Sequence, residues 1–183
     1  MKKYLYLFLF LLSTQFLSAQ KEAAFEAVRQ GELTKLQTLL KEEPNLLTAQ
    51  NARGHNLLIL AAYYEQTDIL THLINAGANL DHQDASGNTA LMGVCFKGYA
   101  EALNYLIEGG AKVDQENYNG ATALTFAVTF GHEELAKALL DAGANLEHKD
   151  QSGMSIRQHA EIQGDPKILA LLAQYPLTEK DGD

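Results

Sequence analysis

The sequence is poor in cysteine and in proline, with one cysteine (Cys95) and three prolines among 183 residues. A single cysteine excludes a disulfide within the chain and a zinc site built from several thiolates. Basic residues are also scarce, because 14 Lys and Arg stand against 23 Asp and Glu, a formal net charge of −9. Nucleic-acid binding needs clustered Lys and Arg to neutralise phosphates, so we expect no nucleic-acid partner. The acidic excess favours a basic partner instead.

Long hydrophobic runs are missing as well. The longest, Tyr4 to Leu12, has nine residues, whereas a helix that spans a bilayer needs about 20. Two lysines, Lys2 and Lys3, precede this run, and Ser18-Ala19-Gln20 lies a few residues after it. We therefore interpret residues 1–19 as a secretory signal peptide cleaved after Ala19. We expect an exported protein, periplasmic or, as the alternative, secreted, with no membrane insertion after the signal is removed. The mature chain would carry 12 basic and 23 acidic residues.

Recognisable catalytic motifs are also missing. The sequence has no glycine-rich phosphate loop ending in Lys-Ser/Thr, no His-Glu-x-x-His and no Gly-x-Ser-x-Gly, the arrangements that would indicate phosphate binding, zinc hydrolysis or a serine nucleophile. We therefore expect no catalytic residues, no metal ligands and no cofactor. The protein is not predicted to be an enzyme.

Glycine, by contrast, is frequent, and its 14 occurrences are spaced regularly. Eleven of them fall into three columns with a period of 33 residues. The columns are Gly54, Gly87, Gly120 and Gly153; Gly31, Gly98, Gly131 and Gly164; and Gly77, Gly110 and Gly143. Glu65 interrupts the second column, where we expect a left-handed residue that strains the backbone. A period of 33 predicts a stack of similar units.

Each unit predicts two short helices. Two residues after the first glycine column stand residues that commonly cap a helix N-terminus; they are Asn56, Thr89, Thr122 and Ser155. A short apolar helix follows and ends at the second column, a position that favours glycine. A second helix with one apolar stripe, such as Leu135 to Leu140, ends at the third column. Neither helix can bury its stripe alone, so the units must stack.

These motifs resemble the ankyrin repeat. The resemblance is carried by Asp84-Ala-Ser-Gly-Asn-Thr-Ala-Leu with Gly110-Ala111, and by Asn117-Tyr-Asn-Gly-Ala-Thr-Ala-Leu with Gly143-Ala144. It implies an all-α solenoid of about five helix-turn-helix units joined by β-turn or hairpin loops. We expect an N-terminal cap at 21–50, repeats at 51–83, 84–116 and 117–149, a C-terminal cap at 150–176 and a polar tail at 177–183. The whole repeat domain would cover residues 20–176.

The chain departs from the family pattern at one position of each first helix. The family's usual histidine, which links neighbouring repeats by hydrogen bonds, is replaced in all four units; the replacements are Ile59, Met92, Thr125 and Gln158. This departure predicts weaker coupling between repeats, not a different fold.

The remaining histidines and the cysteine have structural interpretations. His82 and His148 stand two repeats apart, about 20 Å if neighbouring helices lie about 10 Å apart, which is too far to share a metal. His132 stands where the resemblance implies a structural histidine. Cys95 occupies a column of small apolar residues, so we expect it to be a buried core residue.

What remains for function is a surface. The resemblance implies a concave face formed by the turn tips and the outward positions of the first helices. The residues that we place there are Arg53, His55, Tyr63, Tyr64, Asn88, Phe96, Lys97, Tyr118, Asn119, Thr129 and Phe130. Five of these are aromatic although the repeat core does not require them, and aromatic residues mixed with Arg and Asn are typical of binding surfaces.

The sequence therefore predicts an exported, monomeric module that binds another protein through its concave face, and so masks, inhibits or scaffolds it without catalysis. Two alternatives stay open. One is a small-molecule binder or an enzyme that uses a pocket among the tips, near Arg53, His55 or Lys97. The other is a structural protein that associates with itself through the exposed rings.

Overall fold

The computed structural model describes the backbone of residues 2–175 and the side chains of residues 15–175, and the predicted tail at 177–183 lies outside them. The described residues form ten α-helices and no β-strand, which confirms the predicted all-α class. A short 3-10 helix at Pro44–Thr48 precedes the third helix. The helices are α1 Lys2–Gln30, α2 Leu33–Glu42, α3 Leu57–Tyr63, α4 Thr67–Asn75, α5 Ala90–Lys97, α6 Ala100–Glu108, α7 Ala123–Thr129, α8 Glu133–Asp141, α9 Ile156–Gln163 and α10 Pro166–Ala173.

The helices form five consecutive pairs that stack as a solenoid. The first helices of the pairs, α1, α3, α5, α7 and α9, pack on one another in that order. Among the second helices, α4 packs on α6, α6 on α8, and α8 on α10. The buried apolar side chains run as one layer from Ala24 to Leu172. Each unit therefore buries its apolar surface against its neighbours, as expected for a repeat stack.

The first helix runs through the predicted signal-peptide boundary. Helix α1 is continuous from Lys2 to Gln30, but among its described side chains burial begins only at Ala24. Phe16 and Leu17 are 64% and 48% exposed. Cleavage after Ala19 stays a prediction, and it would remove no described side chain of the core. None of the helices in the described range is both long and apolar enough to cross a membrane.

The predicted helix caps are confirmed. In each unit the N-cap side chain accepts a hydrogen bond from the backbone N–H three residues later; the four caps are Asn56, Thr89, Thr122 and Ser155. Each bond satisfies one of the amides that a helix start leaves without a partner. The caps fix where each first helix begins and therefore which of its side chains face outward.

Glu65 is the single non-glycine residue with positive φ among the described residues. Its φ is 56°, while Gly31, Gly98, Gly131 and Gly164 at the equivalent positions have φ between 71° and 81°. A left-handed conformation costs a residue with a Cβ about 1–2 kcal/mol. The strain expected at Glu65 from the interrupted glycine column is therefore present in the fold.

Hydrogen bonds join neighbouring repeats although the family histidine is replaced, and the weaker coupling expected from its replacement stays a prediction. Gln83 Nε2, at the end of one repeat, donates to the carbonyl of Glu116, at the end of the next, at 2.8 Å. His82 Nε2 lies 2.8 Å from the carbonyl oxygen of Gly54, and His148 Nε2 lies 2.5 Å from that of Gly120. Each of these two histidines therefore connects the end of its repeat with the turn tip of the same repeat.

Candidate functional site

The turn tips are built by one recurring side chain. In each unit an Asn or Asp oxygen accepts hydrogen bonds from the backbone N–H groups two and four residues later; these residues are Asn51, Asp84, Asn117 and Asp150. A hydrogen bond from a backbone N–H to the carbonyl three residues earlier closes each β-turn, for example from Gly87 to Asp84. The predicted β-turn tips are confirmed, and their geometry is set within each tip.

Neighbouring tips are joined through their backbones. The N–H of Ala85 donates to the carbonyl of Arg53 at 2.9 Å, and the N–H of Tyr118 donates to the carbonyl of Ser86 at 3.2 Å. The N–H of Gln151 donates to the carbonyl of Asn119 at 3.0 Å. The tips therefore form a continuous row beside the first helices, and the two together form the concave face.

The five aromatic residues assigned to this face are all exposed. Their exposed fractions run from 40% to 60%, and the residues are Tyr63, Tyr64, Phe96, Tyr118 and Phe130. Arg53, Asn119 and Thr129 are also exposed, whereas His55, Asn88 and Lys97 are half-buried. The register of the sequence therefore places these residues correctly. Their role in binding stays a prediction.

The aromatic side chains form two groups. The rings of Phe96 and Phe130 meet edge to face with centroids 4.7 Å apart, and Phe126 stacks on Phe130 at 6.3 Å. The rings of Tyr63 and Tyr64 meet edge to face at 5.5 Å. Contacts between rings fix their orientations, so this surface is ordered before any partner arrives.

A hollow of about 640 Å³ lies on the concave face between these two groups. Its apolar side chains come from the first helices; they are Ile59, Leu60, Met92, Phe96 and Phe126. Six of the eleven predicted site residues line it, namely Arg53, His55, Tyr63, Tyr64, Asn88 and Phe96. The other five lie outside the lining: Lys97, Tyr118, Asn119, Thr129 and Phe130.

Lys97 is thus not a group of the hollow, contrary to the small-molecule alternative. Its ammonium lies 4.5 Å from the centroid of the Tyr63 ring, a cation–π distance. Tyr118 is also held elsewhere, because its ring covers the preceding tip at Gly87, where a Cβ would come within 2.7 Å of Tyr118 Cδ1.

Sequence reasoning missed two residues of the hollow that have clear physical roles. Arg29, at the end of α1, reaches the hollow and pairs with Glu26 at 3.0 Å and Glu22 at 3.2 Å. Gly93 lies in the interior of α5, in line with Leu60 and Phe126 of the neighbouring repeats. A signal for Gly93 was present, since it is one of three glycines outside the 33-residue columns.

The charges around the hollow are unevenly paired. His55 Nε2 lies 3.5 Å from Asp84 Oδ2, but burial is the main influence and lowers the pKa of His55 despite the nearby carboxylate. Arg29 has its carboxylate partners, and the hydrogen bonds that it donates to Glu26 and Glu22 raise its pKa. Arg53 forms no ion pair with any described residue. Of the basic side chains that line the hollow, Arg29 and His55 thus lie beside carboxylates, and Arg53 has no such partner among the described residues.

Cys95 and His132, the other candidate reactive side chains of the sequence, lie outside the hollow. The thiol of Cys95 is fully buried, and this burial raises its pKa, so it stays protonated. His132 lies against Gly98, where a Cβ would come within 2.6 Å of its ring, in agreement with a structural role. Within residues 15–175, no three His, Cys, Asp or Glu side chains are placed to hold a metal ion. What the geometry offers is a surface for binding.

Comparison with protein families agrees with this architecture. The family model "Ankyrin repeats (3 copies)" matches the chain in three overlapping placements, over residues 24–117, 58–150 and 91–181. No significant match is found among curated proteins. Repeats of this kind generally mediate protein–protein interactions and are typically non-catalytic. Since the matched residues cover most of the chain and the helices stack in the expected pairs, this protein belongs to the ankyrin-repeat family.

Proposed function

We propose that this chain is an exported, non-catalytic module that holds a segment of another protein on its concave face and thereby masks, inhibits or scaffolds that protein. The observation that carries the proposal is the clustering of exposed rings on this one face; they are Tyr63, Tyr64, Phe96, Tyr118 and Phe130. The core of the repeat does not need these rings. Large aromatic side chains beside an arginine are the groups that dominate binding energy at protein interfaces.

The preformed geometry of the face supports the proposal. Its rings contact one another, its tips are linked by backbone hydrogen bonds, and its helices are capped. A surface that is already ordered loses little conformational entropy on association, so more of the contact energy remains as affinity. We expect the face to change little in shape when its partner binds, and we expect the free protein to be a monomer.

Binding is tested by removing the rings that project from three successive units. We expect the variant Tyr63→Ala/Phe96→Ala/Phe130→Ala to lose most of the proteins that the wild type captures from a cell-envelope extract. The matched control is Ile162→Ala/Leu169→Ala, which removes exposed apolar side chains from α9 and α10, outside the hollow. Helical circular dichroism confirms that both variants are folded. A folded triple variant that keeps every partner would show that the chosen face is wrong.

Export is tested by the N-terminus of the protein recovered from its cells. Exposed side chains at Phe16 and Leu17 and the start of burial at Ala24 support a cut that leaves the fold intact. We expect mass spectrometry of the periplasmic fraction to find a chain that begins at Gln20. A chain that retains Met1 and fractionates with the cytoplasm would contradict the export part of the proposal and leave the binding part standing.

A second candidate function is small-molecule binding in the hollow. Its volume of about 640 Å³ falls within the range of ligand pockets, and it combines apolar walls with His55 and Asp84. We place it second because a small ligand in the hollow would leave the exposed rings of Tyr118 and Phe130, which lie outside it, without a role.

A further inference from the structure

Gly93 is a glycine that the fold itself does not explain. It lies in the interior of α5, where glycine is less favourable for the helix than alanine. Of the other glycines whose structure is described, all except Gly109 have positive φ. A Cβ on Gly109 would come within 3.1 Å of Ile74. Gly93 has neither property, because a Cβ there would meet no atom within 4 Å.

The space left by the missing side chain belongs to the hollow. The equivalent positions in the neighbouring repeats are Leu60 and Phe126. Gly93 therefore leaves a gap between two large side chains. Met92 and Phe96, one residue before and three after Gly93, line the same hollow. The half-buried helix backbone at Gly93 borders the hollow with apolar side chains around it, which suits close approach by an apolar group from outside.

The opposite end of the hollow is polar. Arg53 and His55 lie in the tip just before the first residue of α3, and Tyr63, which also lines the hollow, is the last residue of that helix. His55 lies 3.5 Å from Asp84, and Arg29 is already paired with Glu22 and Glu26. Arg53 is therefore the cation of this hollow that lacks a carboxylate among the described residues. An acidic side chain would complement it locally, although the chain as a whole is acidic.

We propose that the hollow receives one large apolar side chain of the partner protein against the backbone of Gly93, while an Asp or Glu of the same segment pairs with Arg53. This inference rests on the proposed function and specifies its partner. Arg53 belongs to the unit of α3 and Gly93 to the neighbouring unit of α5, and packed neighbouring helices lie about 10 Å apart. An extended segment covers that length in about three residues, so the apolar and acidic residues should stand within about three positions of each other.

A displayed library of random twelve-residue peptides is selected on the purified protein, and affinities are measured by fluorescence polarisation. We expect the enriched peptides to pair a large apolar residue with Asp or Glu at this spacing.

Gly93→Leu should weaken the binding of these peptides about ten-fold or more because the leucine side chain occupies the hollow. Gly93→Ala should raise the melting temperature by about 2–4 °C through helix propensity while weakening binding. Arg53→Gln should weaken binding of acidic peptides alone.

The matched control is Ala170→Leu, which adds the same side chain at an exposed site of α10 outside the hollow, and should leave affinity unchanged. If Tyr63→Ala/Phe96→Ala/Phe130→Ala loses binding but Gly93→Leu does not, this inference fails and the proposed function stands. If both retain binding, the proposed face also fails. Enriched peptides rich in Lys or Arg, no enriched peptide at all, or a dimer that Gly93→Leu abolishes would each overturn the inference.

Discussion

Gly120→Ala is expected to lower the free energy of unfolding by about 2–5 kcal/mol. A left-handed residue with a Cβ costs about 1–2 kcal/mol, and Gly120 has φ of 75°. The new Cβ would also lie 2.8 Å from the backbone nitrogen of Gln151 in the next tip, and relieving such an overlap costs about 1–3 kcal/mol. Urea unfolding followed by circular dichroism measures the loss.

Gly153→Ala separates these two contributions. Gly153 occupies the same position of the last unit and has φ of 80°, but no atom lies within 4 Å of where its Cβ would be. We expect this variant to lose only the 1–2 kcal/mol of the backbone conformation. Equal losses at Gly120 and Gly153 would mean that close approach between tips does not contribute to stability.

The fold could be predicted from the sequence because its glycines and helix caps answer local requirements of the chain. Each glycine column marks a point where the chain reverses, and the positive φ at Gly87, Gly98 and Gly110 follows from that local requirement. The caps are equally local, because Thr89 or Thr122 needs only an amide three residues away. Spacing alone therefore carries the helix order and the register of the exposed rings.

Contacts between residues far apart in the chain could not be predicted in the same way. His82 and His148 reach carbonyls 28 residues earlier in the chain, and such a distance depends on how two loops pack. The part of Arg29 in the hollow was missed for a related reason. Arg29 reaches the hollow from the N-terminal cap, where the first glycine interval is 34 residues instead of 33 and the register cannot be transferred.

Phe25→Ala is expected to destabilise the protein by about 3–5 kcal/mol, the usual loss for a buried phenylalanine. Phe25 is fully buried in α1, the helix that packs on α3 at the start of the stack. In a solenoid each unit is stabilised mainly by its neighbours, so the loss should fall first on the N-terminal cap. Chemical denaturation, with hydrogen exchange resolved by unit, measures both the size and the place of the effect.

Phe16→Ala is the matched control, with both variants made in the uncleaved full-length chain; it is the same substitution in the same helix at a side chain that is 64% exposed. We expect it to change stability by less than about 0.5 kcal/mol. Local unfolding of the N-terminal cap in Phe25→Ala should also weaken binding at the hollow, because Arg29 of α1 lines the hollow. If Phe16→Ala were as destabilising as Phe25→Ala, the residues before Ala24 would belong to the folded domain, and cleavage after Ala19 would no longer be compatible with a stable cap.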